Sequence, residues 1–221
     1  MKVLVACEFS GIVRDAFRER GHDAWSCDLL PSERPGFHIE QDVFIAIAAR
    51  KWDMMIAHPP CTYLTYAGTA HWNKPGRSEA RDLAMKFFMD LYNADIPKVC
   101  VENPFGYPWK AFRRADQTIN PFDFGESVRK RTCLWLRNLP ILFRCGELFP
   151  VGQTGESVSA PEPIYVGTRL KSGKPKARYT VDCTRPRRIH STEAMSSDKN
   201  RAHERSRSFP SIAKAMAEQW G

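Results

Sequence analysis

Residues 2–28 read KVLVACEFSGIVRDAFRERGHDAWSCD, and their pattern decides the fold. KVLVACE (2–8) is a short apolar run without helical spacing, as expected for a strand buried on both faces. SGIVRDAFRERG (10–21) then places Ile12, Val13, Ala16 and Phe17 on one helical stripe and stops at Gly21. DAWSCD (23–28) is a second strand that ends on an acid. Strand, tight turn, helix and strand form a βαβ unit, whose right-handed crossover makes the two strands parallel.

The alternation continues beyond this unit. DVFIAIAARK (42–51) reads as a helix with Asp42 as its N-cap, DMMIAH (53–58) as a strand, SEARDLAMKFFMDLYNA (78–94) as an amphipathic helix and KVCVEN (98–103) as a strand. We expect an α/β domain with a mostly parallel sheet and helices on both faces. Pro104, Pro108 and Pro121 punctuate a loop-rich stretch before a further strand, RTCLWLR (131–137). SFPSIAKAMAEQW (208–220) is a helix with Ile212, Ala213, Met216 and Trp220 on one face. The expected organisation is a catalytic domain over 1–140, a small irregular basic module over 141–206, and a C-terminal helix over 207–221 that returns to the first domain.

The 221 residues suffice for one sizeable core. No stretch approaches the roughly 20 apolar residues of a membrane span, and the N-terminal run soon meets Glu8, so a soluble, cytoplasmic protein with no membrane partner is expected. Seven cysteines, an odd number without a CxxC pair, argue against disulfides. Cys7, Cys27, Cys100 and Cys133 fall in expected strands, where a cysteine behaves as a small apolar residue. His58 and Cys61 lack the ligand spacing of a zinc site. The net charge of +8 is uneven: residues 1–112 carry 13 basic against 14 acidic side chains, residues 113–221 carry 20 against 11. A polyanion is the expected partner of the second half, where RLKSGKPKARYTVDCTRPRRIH (169–190) concentrates the charge.

Ligands of parallel sheets gather beyond the carboxyl ends of the strands. Glu8, Ser10 and Gly11, then Asp28, then Cys61, then Glu102 and Asn103 all follow expected strand ends and would line one crevice. Cys61 comes after the rigid Pro59-Pro60 turn, and Glu102 ends the next strand, with one crossover helix between them. Carbon 5 of a pyrimidine is a poor nucleophile. Addition of a thiolate at carbon 6 makes it enamine-like, and a carboxylic acid at ring nitrogen 3 accommodates the displaced charge, so the pair suits this chemistry. A reactive thiol wants positive charge nearby, and Arg129, Lys130 and Arg131 offer it.

This order of motifs resembles that of the cytosine C5 DNA methyltransferases. Phe9-Ser10-Gly11 resembles the cofactor loop, Asp28 the acid that binds the ribose, and Asp42 the acid near the adenine. Pro59-Pro60-Cys61 resembles the nucleophile motif, Val101-Glu102-Asn103 the glutamate motif, and Arg129 with Arg131 the arginine pair near the target base. The helix after Arg207-Ser208-Phe209-Pro210 resembles the closing motif, and residues 141–206 a short target-recognition segment. The chain departs from that pattern at Ile12-Val13-Arg14, where glycines continue the family's loop, and at His58, Thr62, Pro104 and Ser127. The resemblance implies a Rossmann-like fold that binds S-adenosylmethionine, with Phe9, Ser10, Gly11, Asp28, Asp42 and Pro59 on the cofactor side. It also implies transfer to cytosine in DNA, with Cys61 attacking, Glu102 at nitrogen 3, and Arg129 and Arg131 orienting a flipped base. Two alternatives share these residues: modification of a free pyrimidine nucleotide, and a catalytically silent fold that binds nucleic acid or protein. Trp72, Tyr107 and Trp109 are candidates for stacking on a base, though such residues more often belong to a core.

Overall fold

The computed structural model of the chain describes residues 1–126, 128, 130–143, 163–169, 175–179 and 207–221. Two compact units emerge. The first comprises Met1–Ile119, Arg131–Leu142 and Ser208–Gly221, and the second Asn120–Lys130 and Phe143–Arg207.

The first unit is built on a seven-stranded sheet: β1 (Lys2–Ala6), β2 (Asp23–Asp28), β3 (His38–Glu40), β4 (Met54–Ala57), β5 (Lys98–Pro104), β6 (Gln117–Ile119) and β7 (Thr132–Arg137). Their order is β3-β2-β1-β4-β5-β7-β6. The β3, β2, β1, β4 and β5 strands are parallel, while β7 pairs antiparallel with both β5 and β6. A mostly parallel sheet whose strand order runs outward from β1 in both directions, with the antiparallel β7 set between β5 and β6, is a Rossmann-like fold. The helices are α1 (Ile12–Glu19), α2 (Val43–Ala49), α3 (Arg77–Tyr92), the short α4 (Pro108–Ala111) and α5 (Pro210–Trp220).

Alternating side chains cover both faces of the sheet. Leu4, Ala6, Met55, Ala57, Val99 and Val101 pack with Val43 and Ala46 of α2, Phe88 and Leu91 of α3, and Trp135. Val3, Val5, Met54, Ile56 and Cys100, also fully buried, point the other way. On α1, Val13 and Phe17 are buried, and α5 packs along this helix with Ile212, Ala213, Met216 and Trp220 inward, the face expected for it.

Several boundaries differ from expectation. β1 ends at Ala6 because Cys7 adopts φ +57°, a left-handed conformation rare for a residue with a Cβ, which turns the chain out of the sheet. Cys7 is thus a turn residue and not the strand residue expected; Cys27, Cys100 and Cys133 do lie buried in β2, β5 and β7. Helix α1 begins two residues late, at Ile12, after Gly11 (φ +71°). β5 runs one residue past the expected strand, to Pro104, with Glu102 and Asn103 inside it. β3, β6 and α4 have too few residues for periodicity to reveal them.

Arg14, fully buried, was not expected to organise anything. Its guanidinium donates to Ser26 Oγ and Ser32 Oγ (both 3.1 Å) and to the Pro35 carbonyl (3.2 Å), while Nε donates to Asp15 (2.8 Å). A Cβ on Gly11 would lie 2.5 Å from Arg14 Nη2, so this glycine provides room for the guanidinium as well as the turn. Arg14 therefore pins the β2–β3 connection to the first turn of α1.

In the second unit, the Asn120 N–H donates to Asp123 at 2.7 Å at the start of a 3-10 turn, Pro121–Phe124. β8 (Pro163–Arg169) and β9 (Pro175–Tyr179) form an antiparallel hairpin. Of the basic segment expected over 141–206, residues 144–162, 170–174 and 180–206 lie outside the described residues, as do Ser127 and Arg129.

Replacing Arg14 with Met keeps the apolar stem but removes the hydrogen bonds to Ser26, Ser32, Asp15 and the Pro35 carbonyl. We expect a loss of about 3 kcal/mol, read as a lowered urea midpoint at unchanged slope.

Candidate active site

The site grows out of the register between two strands. β4 and β5 are parallel with Ala57 opposite Val101, so one residue further on His58 stands beside Glu102 and two further on Pro59 stands beside Asn103. Side chains join both pairs. His58 Nδ1 lies 2.9 Å from Glu102 Oε2, and the Asn103 amide donates to the Pro59 carbonyl at 2.9 Å. The His58 N–H also donates to the Ala6 carbonyl of β1 at 2.9 Å. The diproline turn is therefore tied to strands on both sides, with Pro59 buried, Pro60 exposed and Cys61 half-buried.

Beyond the diproline the chain folds back at once. The Cys61 carbonyl accepts from the Leu64 and Thr65 N–H groups (3.0 and 2.9 Å). Thr65 then bridges to Gly106, where an added Cβ would come within 2.0 Å of the Leu64 carbonyl oxygen, so only glycine permits this approach. The loop after Cys61 and the loop after β5 thus cross in contact. Arg77 donates to the Thr62 carbonyl (2.8 Å) and covers the Tyr63 ring at 4.3 Å. Arg81 lies 4.9 Å from the centroids of both Trp72 and Tyr107. Trp72 and Tyr107 are half-buried within this arginine–aromatic layer, and Trp109 packs against Phe105 and the core.

Arg131 is exposed just before β7, with its guanidinium 4.0 Å from the centre of the Phe105 ring. The antiparallel register explains the contact, because Thr132 opposes Pro104 and the next pair outward is Arg131 with Phe105.

At the end of β1 the polar groups serve a different purpose from the one expected. Glu8 and Ser10 are buried and line no open crevice. Glu8 Oε1 accepts from the Val13 N–H (2.8 Å) and the Ser10 hydroxyl (2.9 Å), and Oε2 from the Arg14 N–H (3.4 Å). The first turn of α1, whose free N–H groups would otherwise attract an anion, is satisfied by the chain's own carboxylate. Phe9 is buried too, and its carbonyl accepts from Glu33 at 2.9 Å. Asp28 ends β2 half-buried and accepts from the Leu30 N–H at 3.0 Å, with Leu29 beside it 74% exposed. Asp42 is exposed and caps α2 by accepting from Phe44 at 2.8 Å, as its position in the sequence suggested. Burial, with a smaller contribution from the negative charges of Asp28 and Asp42, pushes the Cys7 thiol well above the ordinary thiol range.

Sequence reasoning missed Glu8 as a helix cap, Arg14 as an organiser and His58 as the partner of Glu102. A signal existed for the last: with β4 and β5 parallel neighbours, polar residues one step beyond each apolar run must meet.

Among the described residues no group of three metal-binding side chains gathers, and no helix is long and apolar enough to cross a membrane. No protein-family model and no curated protein sequence matches the chain. Among solved structures it is similar to a protein described as a DNA modification methyltransferase encoded within a prophage of E. coli, at 13% identity and a TM-score of 0.41 over 62% of this chain and 46% of the other. It is also similar to an rRNA methylase from Escherichia coli, at 15% identity and a TM-score of 0.35 over 61% of this chain and 55% of the other. The chain thus spans about half the length of each.

The five described cysteines differ in availability. Burial raises the thiols of Cys7, Cys27, Cys100 and Cys133, which lowers their thiolate fraction at pH 8. Iodoacetamide at pH 8 should therefore modify Cys61 of the native protein before these four, as peptide mass spectrometry will show; equal labelling would mean that Cys61 is no more accessible than they are.

Proposed function

We propose that this chain transfers a methyl group from S-adenosylmethionine to carbon 5 of a cytosine in DNA, through a covalent bond between Cys61 Sγ and carbon 6 of the ring. The observation that carries this reading is the β4–β5 register, which brings the Pro59-Pro60-Cys61 turn and Glu102 to the same ends of neighbouring parallel strands.

The residues around β1 and β2 fit the cofactor. A dinucleotide would need the N-terminus of α1 for its pyrophosphate, and there Glu8 already accepts from the Val13 and Arg14 N–H groups. S-adenosylmethionine has no phosphate. Asp28, at the end of β2, is a carboxylate suited to a ribose diol, and the exposed Leu29 beside it offers an apolar face to an adenine. When bound, the cofactor supplies an electrophilic methyl group.

The protein's own groups do the rest. The Cys61 thiolate adds to carbon 6, and the carbon 5–carbon 6 electron pair moves toward carbon 5 as Glu102 gives its proton to nitrogen 3. Carbon 5 thereby becomes a nucleophile. After carbon 5 has gained its substituent, loss of its proton to a solvent base re-forms the double bond and expels the thiolate, while nitrogen 3 returns its proton to Glu102. Arg131, backed by the Phe105 ring, is available to hold the ring carbonyl oxygen or a phosphate, and Arg129 is assigned the same task from the sequence. The basic second half would hold phosphates, which position a duplex without reading its sequence.

Duplex DNA carrying 5-fluorocytosine tests this directly, since fluorine cannot leave as the proton does and the adduct is trapped. With S-adenosylmethionine present, the native protein should form a denaturant-resistant complex with the duplex and Cys61→Ala should form none. Trapping by 5-fluorodeoxycytidine monophosphate in place of the duplex would assign the chemistry to free nucleotides, and absence of both adducts would overturn it.

A further inference from the structure

His58 is the residue that the proposed chemistry does not use and that the structure joins most closely to it. Its Nδ1 lies 2.9 Å from Glu102 Oε2, its side chain is 11% exposed, and the same residue is fixed through its N–H to Ala6. Nε2 is buried and has no hydrogen-bond partner among the described residues. The two ring nitrogens are therefore in unlike positions, and their difference sets the tautomer. A proton on Nε2 would bury an N–H with no acceptor, one of the rarest defects in folded proteins, whereas a lone pair there is better tolerated. A proton on Nδ1 has a carboxyl oxygen waiting for it.

We infer that His58 is a positioning residue for Glu102: it holds its proton on Nδ1, donates it to Oε2, and so turns the other oxygen of the carboxyl group toward nitrogen 3 of the pyrimidine. The inference rests on the reaction proposed above. When the Oε1 proton passes to nitrogen 3, Glu102 becomes a carboxylate, and the Nδ1–H···Oε2 bond becomes charge-assisted and stronger. The contact thus favours the state in which the ring is activated over the state before it. The proton count is unchanged at His58, which keeps its Nδ1 proton throughout; the single proton moves from Glu102 to nitrogen 3 and returns when the thiolate leaves. The backbone restrains both partners, since Glu102 lies within β5 and His58 follows β4 by one residue.

Two measurements separate this inference from the reaction it serves. In protein labelled with 15N-histidine, the His58 ring should show the Nδ1–H tautomer, and Glu102→Leu should release it to a mixture; an Nε2–H tautomer in the native protein would overturn the inference whether or not the chain methylates DNA. The second measurement is tritium release from DNA carrying 5-tritiocytosine, which needs only addition at carbon 6 and proton transfer at nitrogen 3, because carbon 5 then exchanges with solvent. His58→Ala should slow this release by about 10- to 100-fold, the worth of a hydrogen bond to a charged group, and lower kcat for methylation equally with KM for DNA within about twofold. His58→Asn, whose amide N–H can occupy the Nδ1 position, should recover most of the rate. Equal loss in the Ala and Asn variants, or a change confined to KM, would assign His58 a merely structural role. Failure of the native protein to release tritium would instead remove the proposed reaction and leave the tautomer result standing.

Discussion

The parallel ladder between β4 and β5 is the constraint on which the rest depends. Four backbone pairs, ending at Ala57 with Val101, set the strands in register, and the His58–Glu102 and Asn103–Pro59 contacts continue that register by one and two residues. A slip of one position would turn His58, Glu102, Pro59 and Asn103 to opposite faces at once, because side chains alternate along a strand. The buried apolar residues on both faces of the sheet prevent that slip, so core packing and site geometry are here the same requirement.

Around β1 the chain meets a second constraint with charged groups in place of glycines. Glu8 occupies the free N–H groups of α1, and Arg14 reaches from the first turn of that helix to the serines and carbonyls of the β2–β3 connection. Both are costly to bury, and both are satisfied by specific partners. The outcome is a loop whose shape comes from side chains and which presents no vacant anion site at the helix terminus. The helix terminus therefore has no place for a phosphate, and Gly11 matters as much for Arg14 as for the turn.

Much of the architecture was legible from residue pattern. The runs at 2–8, 23–28, 53–58 and 98–103, separated by helical stretches, led to the observed parallel strands with errors of one or two residues at their ends. Those errors have local causes. Cys7 adopts a left-handed conformation that no periodicity announces, and β5 extends to Pro104 because β7 pairs with it that far. β3 and β6, with three residues each, are strands only because a neighbour offers its ladder. Glu8 and Ser10, expected to line a crevice, are buried, since a polar residue after a strand can equally turn inward to cap a helix.

By itself, then, the sequence determined which segments are apolar enough to be strands, that their connections are crossovers, and that an acid and a thiol lie near successive strand ends. Tertiary structure alone decided that β7 runs antiparallel beside β5, that Arg14 is enclosed, and that the partner of Glu102 is His58. The physical reason is that periodicity reports burial along one segment, whereas hydrogen-bond partners are chosen across segments, where a register difference of a single residue changes every pair.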